Sequence, residues 1–288
     1  MAEDALQLAL FALRACLNVS ALLLIGLALH AAWGVIEREA APRWRGLIIG
    51  LALVAAVLGF ARLLVLNLQL GDTSTLFDSE LTALGWMTLG PSSLALVIGS
   101  AVIVFGFFVT QRVILVCGAL AVAAGFALTG HTQALTEPGL APFGVGLHAA
   151  LAGFWVAAPL TLFPRPVVAN DVLIARLRRF SEAAVLLIPI LFVIGLWLAW
   201  VLAGGLTGLL GTLYGQLLLL KLAAASIALG VGAFNKQLVT ARTVKDPVTG
   251  RRWLGRTLAA ETIVFTVAIL AVSAATTLTG AGEGLPAE

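Results

Sequence analysis

Residues 183–203 read AAVLLIPILFVIGLWLAWVLA, an unbroken apolar run with no charged side chain. At 1.5 Å per residue a helix of this length spans about 30 Å, the thickness of a bilayer's hydrocarbon core. Its apolar residues cover every side of the helix, which suits burial in lipid better than one face packed on a soluble core. Runs of the same kind occupy residues 5–33, 44–66, 91–109, 113–128, 143–163, 213–235 and 257–278. Their length and their Leu, Ala and Val content set them apart from barrel strands, which show about ten residues of alternating pattern. The expected fold is therefore all-α: a polytopic membrane helix bundle of about eight transmembrane helices in one transmembrane domain over residues 1–288.

Composition agrees. Hydrophobic residues make up 61% of the chain and charged residues only 11%, against about 25% charged in a soluble domain. Cys16 and Cys117 both fall inside apolar runs and so read as small buried hydrophobes rather than a disulfide framework. The start, Met1 to Asp4, is acidic where a cleavable signal would be basic, so the first run is expected to remain as a helix. The run at 113–128 is the shortest and shares a tight turn at Gln111 and Arg112 with the run before it.

Orientation follows from the cations. Arg38, Arg43 and Arg45 lie after the first run, Arg112 after the third, and Arg165, Arg176, Arg178 and Arg179 after the fifth. Lys236, Arg242, Lys245, Arg251, Arg252 and Arg256 lie between the last two. The alternate connections, including the acidic stretch with Asp72, Asp78 and Glu80, carry no Lys or Arg. Cytoplasmic loops carry the cationic excess, so the expectation is both termini outside the cytoplasm. Residues 170–181, with apolar side chains between arginines, suit a short interfacial helix leading into the sixth span.

Only Arg14, Arg62 and Lys221 interrupt the spans as cations. Charges at such depth are functional candidates by default and require an anionic or carbonyl-rich counterpart. Tyr214, Lys221, Ala228 and Asn235 recur every seven residues and share a helix face expected to look into the bundle. His148 and Trp155 share a stripe on the fifth run, and Glu261 sits near the cytoplasmic start of the last, placed for Asn235 or for the arginines near the entrance of the sixth. His131 and His148 flank one outer connection, where their imidazoles are candidate ligands for copper, zinc or iron. Met87 offers a thioether for a cuprous site on the same side, though a single methionine beside Trp86 reads first as an interface anchor. His30, near the cytoplasmic end of the first run, reads as packing.

Several of these elements together resemble the copper-resistance D family (CopD/PcoD), most clearly over residues 128–279. They are Thr129-Gly130-His131, His148 with Trp155, Arg179-Phe180-Ser181, Tyr214-Gly215 with Lys221 and Asn235, and Glu261; Arg14 agrees in the first half. Cys16 and Asn18 stand where some relatives carry a histidine. The resemblance implies a multi-pass protein of the bacterial inner membrane that transports or delivers copper ion, both termini periplasmic, working with a periplasmic CopC-like protein. It makes His131 and His148 candidate ligands near the periplasmic face.

Two other readings stay open. One is a haem-binding electron-transfer protein with His131 and His148 as axial ligands and Arg14, Arg62 or Lys221 meeting propionates. The other is a copper-delivery or oxidase-assembly factor that binds metal without moving it. No nucleophile-base pair, paired zinc histidines or phosphate-binding glycine loop points to an enzyme, and nothing points to nucleic acid.

Overall fold

The computed structural model describes residues 2–71, 75–129 and 138–278. No strand occurs among them, and seven helices are long and apolar enough to cross a membrane. In chain order the elements are α1 (Ala2–Trp33), α2 (Ala41–Leu70), α3 (Ser79–Val109), α4 (Arg112–Ala127), α5 (Ala141–Val156) and α6 (Ala158–Leu162). Then follow α7 (Asn170–Ala203), α8 (Leu206–Gly211), α9 (Leu213–Phe234), α10 (Thr240–Lys245) and α11 (Pro247–Leu278). The helical membrane bundle expected from the apolar runs is what the chain forms.

The helices exceed the apolar runs, and the reasons are local. α3 begins at Ser79 rather than at Pro91, because Asp78 caps it by accepting from the Leu81 amide at 2.8 Å. Asp78, read in sequence as part of an acidic loop, is thus a helix cap. Pro91 and Pro189 lie inside α3 and α7 without ending them, as neighbouring helices allow in a bundle. α7 is one 34-residue helix, which corrects the expectation of a separate interfacial helix over 170–181. The fifth run instead breaks at Ala157, and Pro159 stands in the first turn of α6, where a missing amide costs nothing. Between Phe234 and Thr240 the helix passes through one π-turn, Asn235–Val239, so the polar connection after the seventh run is almost wholly helical.

α4 has 16 residues, about 24 Å of helix. It lies antiparallel to α3 on a seam of small residues. A Cβ added to Gly99 would come within 2.6 Å of the Val122 amide, and one added to Gly118 within 2.9 Å of the Ile103 amide. Ser92 Oγ donates to the Gly125 carbonyl at 2.7 Å along the same seam. Close backbone approach through small residues is how helices associate where lipid removes the hydrophobic incentive. The α1–α5 crossing works similarly: a Cβ on Gly153 would lie 2.9 Å from the Leu22 carbonyl oxygen.

The two outermost helices of the chain meet. Arg14 donates to the Thr276 carbonyl, and Asn18 donates to Ser273 Oγ at 3.0 Å. These contacts run α1 and α11 antiparallel, so the start of α1 and the end of α11 share one end of the bundle. The opposite end is tied by the loop cations. Arg176 makes a bidentate bond to Glu37, at 2.7 Å for Nη2 to Oε2, and Arg179 donates to the Gly34 carbonyl at 2.6 Å. Arg45 reaches the last-turn carbonyls of α3 at Phe107 and Phe108, 3.4 and 3.3 Å away, and covers the αL residue Thr110 that turns the chain into α4. Arg251 donates to the Arg165 and Val168 carbonyls at 2.7 and 3.0 Å.

Candidate functional site

One cavity of about 630 Å³ lies among α1, α2, α3, α4, α5, α7, α9 and α11. Arg14 and Asn18 reach it from α1, Arg62 from α2, His148 and Trp155 from α5, and Tyr214 and Lys221 from α9. These seven residues, all named in the sequence and scattered over about 200 positions, thus line one space. The seven-residue repeat on α9 explains part of this. Tyr214 and Lys221 face the cavity while Ala228 and Asn235 continue the same face, buried, toward the other end.

The polar contacts inside the cavity join cations to neutral partners. Lys221 Nζ lies 3.3 Å from His148 Nε2. An ammonium has no acceptor, so Nε2 accepts and the ring proton belongs on Nδ1, whose edge faces the α7 backbone at Gly195. Arg62 donates to Thr129 Oγ1 at 3.0 Å, and Arg14 to the Thr276 carbonyl. Among the described residues the counterpart of these three half-buried cations is therefore carbonyl and hydroxyl oxygen and one imidazole. No carboxylate lines the cavity among the described residues.

The remaining candidates fall elsewhere. Met87 lies on α3 with 78% of its surface exposed and does not line the cavity. His131 lies outside the described residues. Asn235 Nδ2 donates to Glu261 Oε1 at 3.2 Å, both side chains buried, in the half of the bundle that holds the loop cations. His30 is fully buried, with Nδ1 2.8 Å from Thr161 Oγ1 and Nε2 2.9 Å from the Phe154 carbonyl, edge-on to the stacked Phe154 and Phe180 rings. Both its nitrogens are engaged, as a packing histidine requires. No group of three or more His, Cys, Asp and Glu side chains able to hold a metal occurs among the described residues.

Sequence reasoning passed over the polar face of α11. Ser273 accepts from Asn18 through its hydroxyl and Thr276 accepts from Arg14 through its carbonyl, while Thr277 lines the cavity beside them. The four-residue step from Arg14 to Asn18 on one helix face, with Ser273 on the last span to meet Asn18, was the available signal.

Residues 174–275, from within α7 through α9 to the end of α11, match the family model CopD, copper resistance protein D. Over these residues the chain is similar to copper resistance protein D. The seven long apolar helices and this similarity are those of a multi-pass membrane protein. Comparison with curated proteins and with solved structures found no match. The CopD match includes Arg179, Tyr214, Lys221, Asn235 and Glu261 and thus the α7, α9 and α11 walls of the cavity. Arg14, Arg62, His148 and Trp155 complete the cavity from outside the matched segment.

Proposed function

We propose that the chain transports or delivers copper at the bacterial inner membrane, crossing it eight times with both termini periplasmic. The antiparallel contact of α1 with α11 supports an even number of crossings, with α4 as the short one. The gathering of the loop cations at the opposite end supports that end as cytoplasmic. The single observation carrying the copper reading is the CopD match over the helices that build half of the cavity.

In this reading copper meets the protein at the terminal end of the bundle, and His148 is a ligand together with His131. Copper binding at His148 Nε2 requires Lys221 to leave that nitrogen, because an imidazole lone pair serves one partner. No second His, Cys or Met lines the cavity among the described residues, so the arrangement favours capture and hand-over at one face above a ligand relay through the bundle. A periplasmic CopC-like protein is the donor or acceptor that such hand-over needs. The role is non-enzymatic.

The haem alternative draws on one observation: His148 shares its cavity with Arg14, Arg62 and Lys221, an imidazole with cations for propionates. Metal content and the visible spectrum of detergent-purified protein separate the readings. Copper bound by the wild type and lost in the His131→Ala/His148→Ala double variant supports the proposal. Unchanged copper affinity in the folded variant, or a Soret band in the wild type, overturns it. Copper flux in proteoliposomes then separates transport from delivery alone.

A further inference from the structure

We infer that the cavity binds an anionic amphiphile: a phosphate or carboxylate head between Arg14, Arg62 and Lys221, with an apolar body against Trp155, Phe192 and Phe265. The inference does not rest on copper and concerns the metal-free protein.

Arg14, Arg62 and Lys221 line this one space, and among the described residues each is held by a neutral group. Neutral oxygens orient a cation but do not cancel its charge, and in low dielectric the uncancelled charges reinforce one another's field. That field stabilises any anion that enters and opposes a bare metal cation. Arg62 is suited to the head group, because one guanidinium edge is anchored on Thr129 and a planar fork leaves further donors for an oxyanion. Lys221 adds a compact charge, and the Tyr214 hydroxyl lies on the same wall.

Size and wall chemistry set the rest of the ligand. At about 630 Å³ the cavity falls within the range of small-molecule sites, about 300–1,000 Å³. A free phosphate would leave most of it empty against Trp155, Phe192 and Phe265, which line the space below the cations. An apolar body fills that part and displaces poorly held water. Two sources carry this chemistry, an anionic membrane lipid and a soluble amphiphilic anion.

The test uses full-length, metal-free protein. In a neutral maltoside detergent the thermal midpoint is measured with hexyl phosphate, inorganic phosphate or 1-hexanol at equal concentration, for wild type, Lys221→Met, Arg62→Met and Lys221→Arg. The expected result is a rise of a few degrees with hexyl phosphate, a smaller one with inorganic phosphate and none with hexanol. Lys221→Met and Arg62→Met lose the rise, Lys221→Arg keeps it, and Lys221→Met without ligand unfolds no earlier than wild type. In a second arm, nanodiscs of phosphatidylcholine and phosphatidylglycerol are opened for native mass spectrometry. Phosphatidylglycerol retained by wild type and released by Lys221→Met identifies the lipid as the source; a hexyl phosphate response without retention identifies a soluble anion. No response in either arm, or a response undiminished in both methionine variants, overturns the inference. Copper affinity is read separately, so failure of the copper proposal leaves these outcomes unaffected.

Discussion

Lys221 Nζ and His148 Nε2 lie 3.3 Å apart, joining α9 to α5 across the wall of the cavity. The contact uses the nitrogen that a metal would need and places a positive charge beside it. Replacing Lys221 by Met frees Nε2 and removes the repulsion, whereas His148→Ala removes the ligand. The expected outcome is copper affinity about tenfold higher in Lys221→Met, equivalent to about 1.4 kcal/mol, and at least tenfold lower in His148→Ala. Competition with a chromogenic copper chelator in detergent measures both.

Met87 tests the boundary of the site. Its side chain is 78% exposed on α3 and outside the cavity. Met87→Ala is expected to change copper affinity less than about twofold, within the 0.4 kcal/mol that surface substitutions commonly move. A tenfold loss in the same chelator assay would restore it to the ligand set.

The ion pair between Arg176 and Glu37 is bidentate, with 10% and 21% of the two side chains exposed. Removing one partner strands the other charge in a poorly hydrated place, at a cost of about 3 kcal/mol. Glu37→Ala should therefore lower the thermal midpoint more than the double Glu37→Ala/Arg176→Ala variant does. Equal losses in a thermal-shift assay would mean the pair contributes little beyond its packing.

The buried bond from Asn235 to Glu261 joins the π-turn after α9 to α11 at 3.2 Å. Glu261→Gln retains an acceptor for Asn235 and should fold with a loss below about 1 kcal/mol, while Glu261→Leu leaves the amide unsatisfied and costs about 1–3 kcal/mol. Denaturant titration of the purified variants distinguishes the two.

Orientation is accessible to reporter fusions. Alkaline phosphatase is active only outside the cytoplasm, so a fusion after Glu288 should be active and one after Lys245 inactive. Because α1 and α11 run antiparallel, an inactive fusion after Glu288 with an active one after Lys245 would invert the bundle and put both termini in the cytoplasm, with the number of crossings still even.

Much of the bundle was legible because hydrocarbon imposes one demand on every spanning residue. The run at 183–203 and its counterparts announce helices by length alone. The seven-residue recurrence of Tyr214, Lys221, Ala228 and Asn235 announced a common face, and the structure buries Ala228 and Asn235 on it and turns Tyr214 and Lys221 to the cavity. Depth left Glu261 either Asn235 or the arginines before the sixth span, and the structure pairs it with Asn235. Helix ends were less legible. Pro91 reads as a start and Pro159 as an interior residue, and the bundle uses them the other way round, because whether a missing amide matters depends on what neighbouring helices supply.

By itself the sequence determined the class of fold and the end of the bundle at which the loop cations gather, since apolar length and charge placement act on each segment separately. It also exposed Arg14, Arg62, Lys221 and His148 as residues that lipid would not tolerate without cause. Only the tertiary structure decided that these four share one cavity, that Lys221 rather than a carboxylate faces His148, and that Met87 stands apart. Those facts depend on which helices cross and how closely, and the crossings are set by contacts such as Gly99 with Val122 and Arg14 with Thr276, between residues far apart in the chain.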